Sequence, residues 1–212
     1  SIIYLSTIGI KTDKFNNKIL EQVKNIDKNL NVELKNISIV LDPFKFKIYA
    51  ETIGTNLTYG NKRIGLEKIK SNISLKSLIN NDFFMGTLQI DTKSIEIKKL
   101  ISFIRLYKND AKLFIAEKLI KKGYIIANID LEFNINGKIK DNYKIKGFVK
   151  NGSINFLKKY DFKKIDFSFK IDKKEISLKN LNLSVNNKNI LLSQIIAINN
   201  NEKFFVTGKI NN

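Results

Sequence analysis

Residues Ala127–Lys140 read ANIDLEFNINGKIK and carry a clear indication of the fold class. Apolar side chains occupy every second position from Ala127 to Ile135, and polar side chains fill the positions between them. A period of two is typical of a strand with one buried and one solvated face. Asn136-Gly137 follows directly and favours a type I′ turn, in which both central residues have positive φ. The stretch therefore predicts an antiparallel hairpin.

The same alternation recurs on both sides of this hairpin. It is visible at 37–41, 44–48, 143–149, 165–171, 176–185 and 204–206. Asn151-Gly152 repeats the turn signal of Asn136-Gly137 and predicts a second hairpin. We therefore predict a mostly β protein with a few short helices, built as a long antiparallel meander whose strands are apolar on one face.

Two regions depart from the period of two and have helical spacing. Near the N-terminus, Thr12 or Asp13 can cap an amphipathic helix. Its apolar stripe comprises Phe15, Ile19, Val23 and Ile26. Near the middle of the chain, a helical interruption carries Ile97, Leu100, Ile101 and Ile104 on one stripe. A second short helix follows it from Asn109 or Asp110 to a stop at Gly123.

The composition excludes much familiar chemistry. The chain has no Cys and no His, which removes disulfides, thiol nucleophiles, histidine-based triads and histidine-ligated metals. Its glycines are scattered and match no phosphate-binding loop. Asp130 and Glu132 share a strand face and could bind a cation or act as an acid/base pair, but a solvated face is the preferred interpretation. We predict no catalytic residue, metal or cofactor, and so no enzyme.

The net charge of +18, from 38 basic and 20 acidic residues, suggests an anionic partner. Only Arg63 and Arg105 are arginines, although arginine binds phosphate better through its bidentate fork. Two basic-aromatic stretches, 44–47 and 162–170, resemble platforms for single-stranded nucleic acid. Alternation places their Phe and Lys side chains on opposite faces, whereas stacking needs both on one surface. We therefore predict inward-facing aromatics and no nucleic-acid partner, and a basic nucleic-acid-binding module remains as a lesser alternative to the functions below.

The first ten residues, SIIYLSTIGI, are uncharged and apolar, and Lys11 and Lys14 follow. This segment is shorter than the roughly 20 residues that span a bilayer. Two interpretations remain open: a first core strand, or the trailing end of a membrane anchor.

The apolar strand faces need a cover, because exposed patches of several hundred Å² are unusual in soluble monomers. One solution is a second sheet or a closed barrel, giving a structural or adhesive β-sandwich with a dry core. The other is a curled trough whose lining is covered by acyl chains. The period of two is compatible with both.

Four stretches carry a resemblance to a known family. They are NVELKNISIVLDPFKFKIYA (31–50), IGLEKIKSNISLKSLINNDFFMGTLQIDTKSIEI (64–97), NINGKIKDNYKIKGFVKNGSINF (134–156) and FFVTGKI (204–210). These stretches have the order strand, short helix, strand, and they follow an apolar N-terminal end and an amphipathic helix. This order resembles the N-terminal portion of the bacterial AsmA-like family.

The resemblance implies a taco-like β-groove that binds and transfers phospholipid between the inner and outer membranes. It implies a remnant of an inner-membrane anchor over 1–11, a first group of elements over 12–122, and a continuing groove over 123–212. The domain would lie in the periplasm, with an outer-membrane protein as a further partner. Lys11, Lys14 and Lys18 would contact headgroups. The groove lining would comprise Ile129, Leu131, Phe133, Ile145, Phe167, Phe169, Leu181, Leu183 and Leu192.

Overall fold

The computed structural model describes residues 9–13, 16–34, 37–44, 47–73, 86–108, 110–134, 139–156, 159–186, 188–200 and 203–210. The described strands are β1 Ile10–Thr12, β2 Leu30–Glu33, β3 Ile37–Asp42, β4 Lys47–Ile53, β5 Asn56–Tyr59, β6 Lys62–Ile73, β7 Thr87–Thr92, β8 Ile95–Glu96, β9 Ile120–Glu132, β10 Lys144–Phe156, β11 Tyr160–Asp172, β12 Glu175–Val185, β13 Lys188–Asn200 and β14 Lys203–Ile210. The described helices are α1 Asn16–Ile26, α2 Ile97–Tyr107 and α3 Ala111–Leu119.

The described strands form one antiparallel sheet of 14 strands. Its main order is β1-β3-β4-β6-β7-β9-β10-β11-β12-β13-β14, while β2, β5 and β8 pair beside this path. From β9 onward the spatial order follows the chain order, which is the arrangement of a meander. The prediction of a mostly β, antiparallel protein with few helices is therefore confirmed.

The chain divides into two units. The first contains the described residues within Ser1–Thr92 and Ile129–Asp141, and the second those within Lys93–Asn128 and Asn142–Asn212. The predicted division between residues 122 and 123 follows a different criterion, the grouping of the strands, and stays a prediction.

The core of the first unit lies on one face of β3, β4 and β6. Ile37, Ala50 and Ile73 are buried there, and Ile19 of α1 and Leu34 pack against them. β3 and β4 align so that Ile39 lies opposite Ala50, which brings their side chains to the same face. Long-range strand pairing and aliphatic packing together hold this unit.

Helix α1 lies in the region where the spacing predicts an amphipathic helix. Of its four predicted stripe residues, Ile19 contacts the core and Val23 is half-buried. Phe15 and the side chain of Ile26 lie outside the described residues. The amphipathic character of the helix therefore remains a prediction.

Three neighbouring strands of the second unit each carry a residue with positive φ. These are Asn151 in β10 (φ 53°), Lys164 in β11 (φ 51°) and Asn180 in β12 (φ 53°). Register shifts accompany them between β10 and β11 and between β11 and β12. An extra residue on one strand of an antiparallel pair is a β-bulge, and in one type of bulge this residue is left-handed. We call these three residues the bulge row.

The bulge row corrects one sequence prediction. Asn151-Gly152 does not form a hairpin turn, because both residues lie within β10. The tolerance of Asn for positive φ, which makes it a turn residue, serves a bulge here instead. The other predicted turn, Asn136-Gly137, lies outside the described residues. On either side of it Phe133 bridges Ile139, and the Lys140 N–H donates to the Glu132 carbonyl at 2.7 Å.

Phe44 departs from the predicted alternation at 44–48. The structure places it in a turn, 95% exposed, and β4 begins only at Lys47. The Asp42 carboxylate accepts the Phe44 N–H at 3.2 Å, which stabilises a turn around Pro43. The expectation that Phe44 faces inward is therefore wrong.

The helical interruption between β8 and β9 consists of α2 and α3. Asp110 caps α3 by accepting the Lys112 N–H at 2.8 Å. α3 ends at Leu119, earlier than the predicted stop at Gly123. Gly123 lies within β9 with a φ of 140°, where a Cβ would come within 3.0 Å of the Gly152 Cα. This glycine permits a close approach of β9 and β10 rather than ending a helix.

The turn between β11 and β12 should make the stability of the protein depend on pH through Asp172. The Asp172 carboxylate accepts the N–H groups of Lys174 and Glu175, both at 3.0 Å. The hydrogen bond from Lys174 is the largest cause that holds the Asp172 pKa below its ordinary value of 3.8. Burial opposes it, and the hydrogen bond from Glu175 and the charges of Lys170 and Lys144 lower the pKa further. The ionised Asp172 carboxylate therefore stabilises the folded protein fully at pH values above the unfolded-state pKa of 3.8. This stabilisation is lost as the pH falls through the lower pKa of the folded state. NMR titration of the carboxyl carbon should show this, and a pKa of 3.8 or higher would contradict it.

Candidate functional site

The candidate site is the apolar face of β10, β11, β12 and β13 in the second unit. Residues opposite each other in an antiparallel pair point to the same face. Across β10 and β11, Ile145 lies opposite Ile171, and Val149 lies opposite Phe167. Phe169 lies opposite Gly147, so one face carries a continuous apolar surface over both strands.

The same face continues into β12 and β13. Leu181 lies opposite Leu192, and Leu183 lies opposite Ile190. Three positions separate Leu178 from Leu181, so a regular strand would turn them to opposite faces. The bulge at Asn180 absorbs the odd residue and keeps both on the apolar face. Six of the nine predicted lining residues therefore share this face: Ile145, Phe167, Phe169, Leu181, Leu183 and Leu192.

Side chains on this face pack tightly around Phe169. The rings of Phe167 and Phe169 meet edge to face, with centroids 6.3 Å apart. The Phe169 ring also covers Gly147, since a Cβ at Gly147 would lie 2.8 Å from the ring. Phe169 and Leu181 are each 8% exposed, whereas the other four predicted lining residues are half-buried. The face thus has a buried centre and more accessible surroundings.

The other three predicted lining residues belong to the first unit. Phe133 is buried, and its N–H donates to the Gly86 carbonyl at 3.0 Å. Ile129 and Leu131 are half-buried.

The predicted headgroup contacts are described only in part. Lys11 lies in β1 opposite Ser38 with an exposed side chain. Lys14 and the side chain of Lys18 lie outside the described residues. A headgroup role for these three lysines stays a prediction.

The opposite face of the second unit is basic and ion-paired. Lys146 lies directly opposite Lys170, a like-charge pair that makes this face electropositive. The Lys170 ammonium lies 3.8 Å from the Asp172 carboxylate, and the Lys150 ammonium lies 3.3 Å from the Asp166 carboxylate. Apolar and basic side chains are thus separated across the sheet, as alternation predicts for 165–171.

A basic cleft of about 540 Å³ in the second unit was not predicted. Its lining includes Lys98 of α2, Lys121 and Lys122 of β9, and Glu96 and Tyr124. These residues come from β8 and α2, which are adjacent in the chain, and from β9, which begins at Ile120. The only signal for the cleft in the sequence is the Lys121-Lys122 pair, which is unremarkable in so basic a chain.

A smaller cleft of about 230 Å³ in the first unit contains Asp130 and Glu132. Lys47, Tyr49 and Lys70 line it too, and the Lys70 ammonium lies 3.9 Å from the Tyr49 ring centroid. The Glu132 carboxylate is paired with Lys140 at 3.6 Å. Across the described ranges, no group of three or more acidic side chains is arranged to hold a metal ion.

Comparison with known proteins finds no protein-family model, curated protein or solved structure that matches the chain. The resemblance to the AsmA-like family therefore stays a prediction based on residue pattern. None of α1, α2 and α3 is long and apolar enough to cross a bilayer.

Proposed function

We propose that this chain binds phospholipid, shielding the acyl chains on the apolar face of its second unit, and that it acts in lipid transfer. The observation that carries the proposal is the continuous apolar face over four strands, from Ile145 to Leu192, with its half-buried margin. Binding on such a face depends on apolar area rather than on directional contacts, so it would tolerate different acyl chains.

The bulge row supports a concave lining. Bulges bend their strands and increase the local twist, and here they occur in three consecutive strands. A bent sheet can partly enclose a chain-like ligand without closing into a barrel. We propose that the groove is of this open kind.

The pattern resemblance extends the proposal to location and partners. In this proposal the N-terminal segment anchors the protein in the bacterial inner membrane and the strands extend into the periplasm. Phospholipid would move along the groove towards the outer membrane, where an outer-membrane protein receives it. The mechanism requires no covalent step.

The test is lipid extraction from the protein purified without detergent, followed by mass spectrometry. Phe167→Asp places a charge on the apolar face, and Phe148→Asp is the matched control. Phe148 lies opposite Ser168 on the other face of the same sheet and is 41% exposed. We expect near-stoichiometric phospholipid in the unchanged protein and in Phe148→Asp, and about tenfold less in Phe167→Asp, since an ionised group is costly against acyl chains.

Circular dichroism shows whether each variant is folded. Should Phe167→Asp unfold, Ile190→Asp tests the same face at a position that is 38% exposed and opposite Leu183. A folded but lipid-free protein, or equal lipid loss in Phe148→Asp, would refute the proposal.

A structural or adhesive role with a dry core is the second candidate. The near-complete burial of Phe169 and Leu181 by protein atoms alone favours it. It predicts a folded, lipid-free protein, and destabilisation by Phe167→Asp in place of lipid loss.

A further inference from the structure

Helix α3 does not separate its apolar and polar residues onto two faces, and it lies at the surface. Its sequence, AKLFIAEKL, has six apolar residues among nine, and none of them is buried. Phe114 is 46% exposed and Ile115 is 55% exposed. Apolar side chains of a surface helix ordinarily face the core, and those of α3 do not. Apolar side chains of α3 are therefore available to contact an apolar partner.

The preceding helix adds to this surface. α2 is fixed to its unit by the buried side chains of Ile101 and Phe103. Its C-terminal end exposes Leu106 (44%) and Tyr107 (58%). We call α2 and α3 together the helical hairpin.

The helical hairpin is held in one geometry by side chains between its two helices. The guanidinium of Arg105 is ion-paired with the carboxylate of Glu117. The same guanidinium lies over the Phe114 ring, 4.9 Å from its centroid, and the Lys118 ammonium lies 5.4 Å from it. Cations at this range are attracted by the face of the ring. Phe114 is thus presented in a defined position.

The charge of the hairpin indicates the kind of partner. From Glu96 to Leu119 there are six basic residues and three acidic ones. All three acidic side chains are already engaged, since Glu96 is ion-paired with Lys99, Asp110 caps α3 and Glu117 binds Arg105. Lys108, Lys112 and Lys118 are exposed beside the apolar residues. This combination complements a surface that is anionic outside and apolar beneath.

We propose that the helical hairpin docks on an anionic lipid surface. Phe114 and Ile115 insert at the boundary between headgroups and acyl chains, which is where aromatic and aliphatic residues of interfacial helices lie. The lysines extend their aliphatic stems over the apolar layer and place their ammonium groups among the phosphates. This surface is separate from the apolar strand face, so either proposal can fail without the other.

The absence of Trp from the chain permits a clean test. Phe114→Trp places a single indole on α3, and Phe205→Trp places one on β14 at a comparably exposed position (58%). Vesicles of phosphatidylcholine with phosphatidylglycerol are added to each variant. We expect the emission of Phe114→Trp to shift to the blue, and that of Phe205→Trp to stay unchanged. Pure phosphatidylcholine vesicles should produce a much smaller shift.

Vesicle sedimentation then measures the affinity. The pair Phe114→Ser with Ile115→Ser should weaken binding about thirtyfold, from the loss of two half-exposed apolar side chains. The matched pair Phe205→Ser with Val206→Ser removes side chains that are at least as exposed and should leave binding unchanged. Lys112→Gln should weaken binding to anionic vesicles about fivefold.

Three results would overturn the proposal: no binding of the unchanged protein to anionic vesicles, equal loss in the β14 pair, or no blue shift of Phe114→Trp. Binding of polyglutamate in place of vesicles, abolished by the α3 pair, would overturn it too and identify an acidic protein as the partner.

Discussion

Replacing Gly147 by alanine should destabilise the second unit by about 3 kcal/mol, towards the upper end of the cost of overpacking. The new Cβ would clash with the carbonyl oxygen of Ile126, and it would also lie 2.8 Å from the Phe169 ring and 3.0 Å from the Ala127 Cα. Two of these three neighbours are backbone atoms of β9, which cannot move aside as the end of a flexible side chain could. Chemical denaturation followed by circular dichroism measures the effect.

Gly208→Ala is the matched control for this substitution. Gly208 also lies in a strand of the second unit, but a Cβ there would meet its nearest neighbours at 3.9 Å and 4.0 Å, ordinary contact distances. We expect a change in the free energy of unfolding of about 0.5 kcal/mol or less. Equal effects of the two substitutions would show that β9 does not approach β10 as described.

Replacing Ile37 by alanine should destabilise the first unit by about 3 kcal/mol, because the lost methyl and methylene groups leave a cavity. Ile37 is 1% exposed, and Ile19, Leu34 and Ile39 pack against the cluster that it forms with Ala50 and Ile73. Hydrogen exchange with mass spectrometry measures this loss locally, since the protection of peptides from β3 and β4 should fall together.

Ile53→Ala provides the comparison within the same unit. Ile53 is 56% exposed at the end of β4, so the same chemical change should cost about 0.5 kcal/mol or less. If Ile53→Ala is as costly as Ile37→Ala, the core of the first unit does not lie where we place it.

The β character of the protein follows from local periodicity, and it could be predicted for that reason. The alternation from Ala127 to Phe133 depends only on which side of a strand each residue faces. The alternation does not specify what covers the apolar side, because protein atoms and acyl chains bury it equally well.

Two local features were not predictable from the sequence for separate physical reasons. Asn151-Gly152 predicts a hairpin but forms a bulge, because positive φ suits both a type I′ turn and this kind of bulge. The exposure of α3 could not be predicted because its apolar residues are spread around the helix and define no single face that should pack on the core. In both cases the same residue pattern is compatible with two different local structures.

The bulge row has a consequence for how the length of this protein can vary. Deleting Asn180 alone would make β12 one residue shorter than the stretch of β11 that it pairs with, so the pairing of Leu181, Leu183 and Val185 with β11 would shift by one residue. Deleting Asn151, Lys164 and Asn180 together would leave the three strands matched in length. Related sequences should therefore gain or lose single residues in β10, β11 and β12 together, because a change in one strand alone disturbs its pairing with the next.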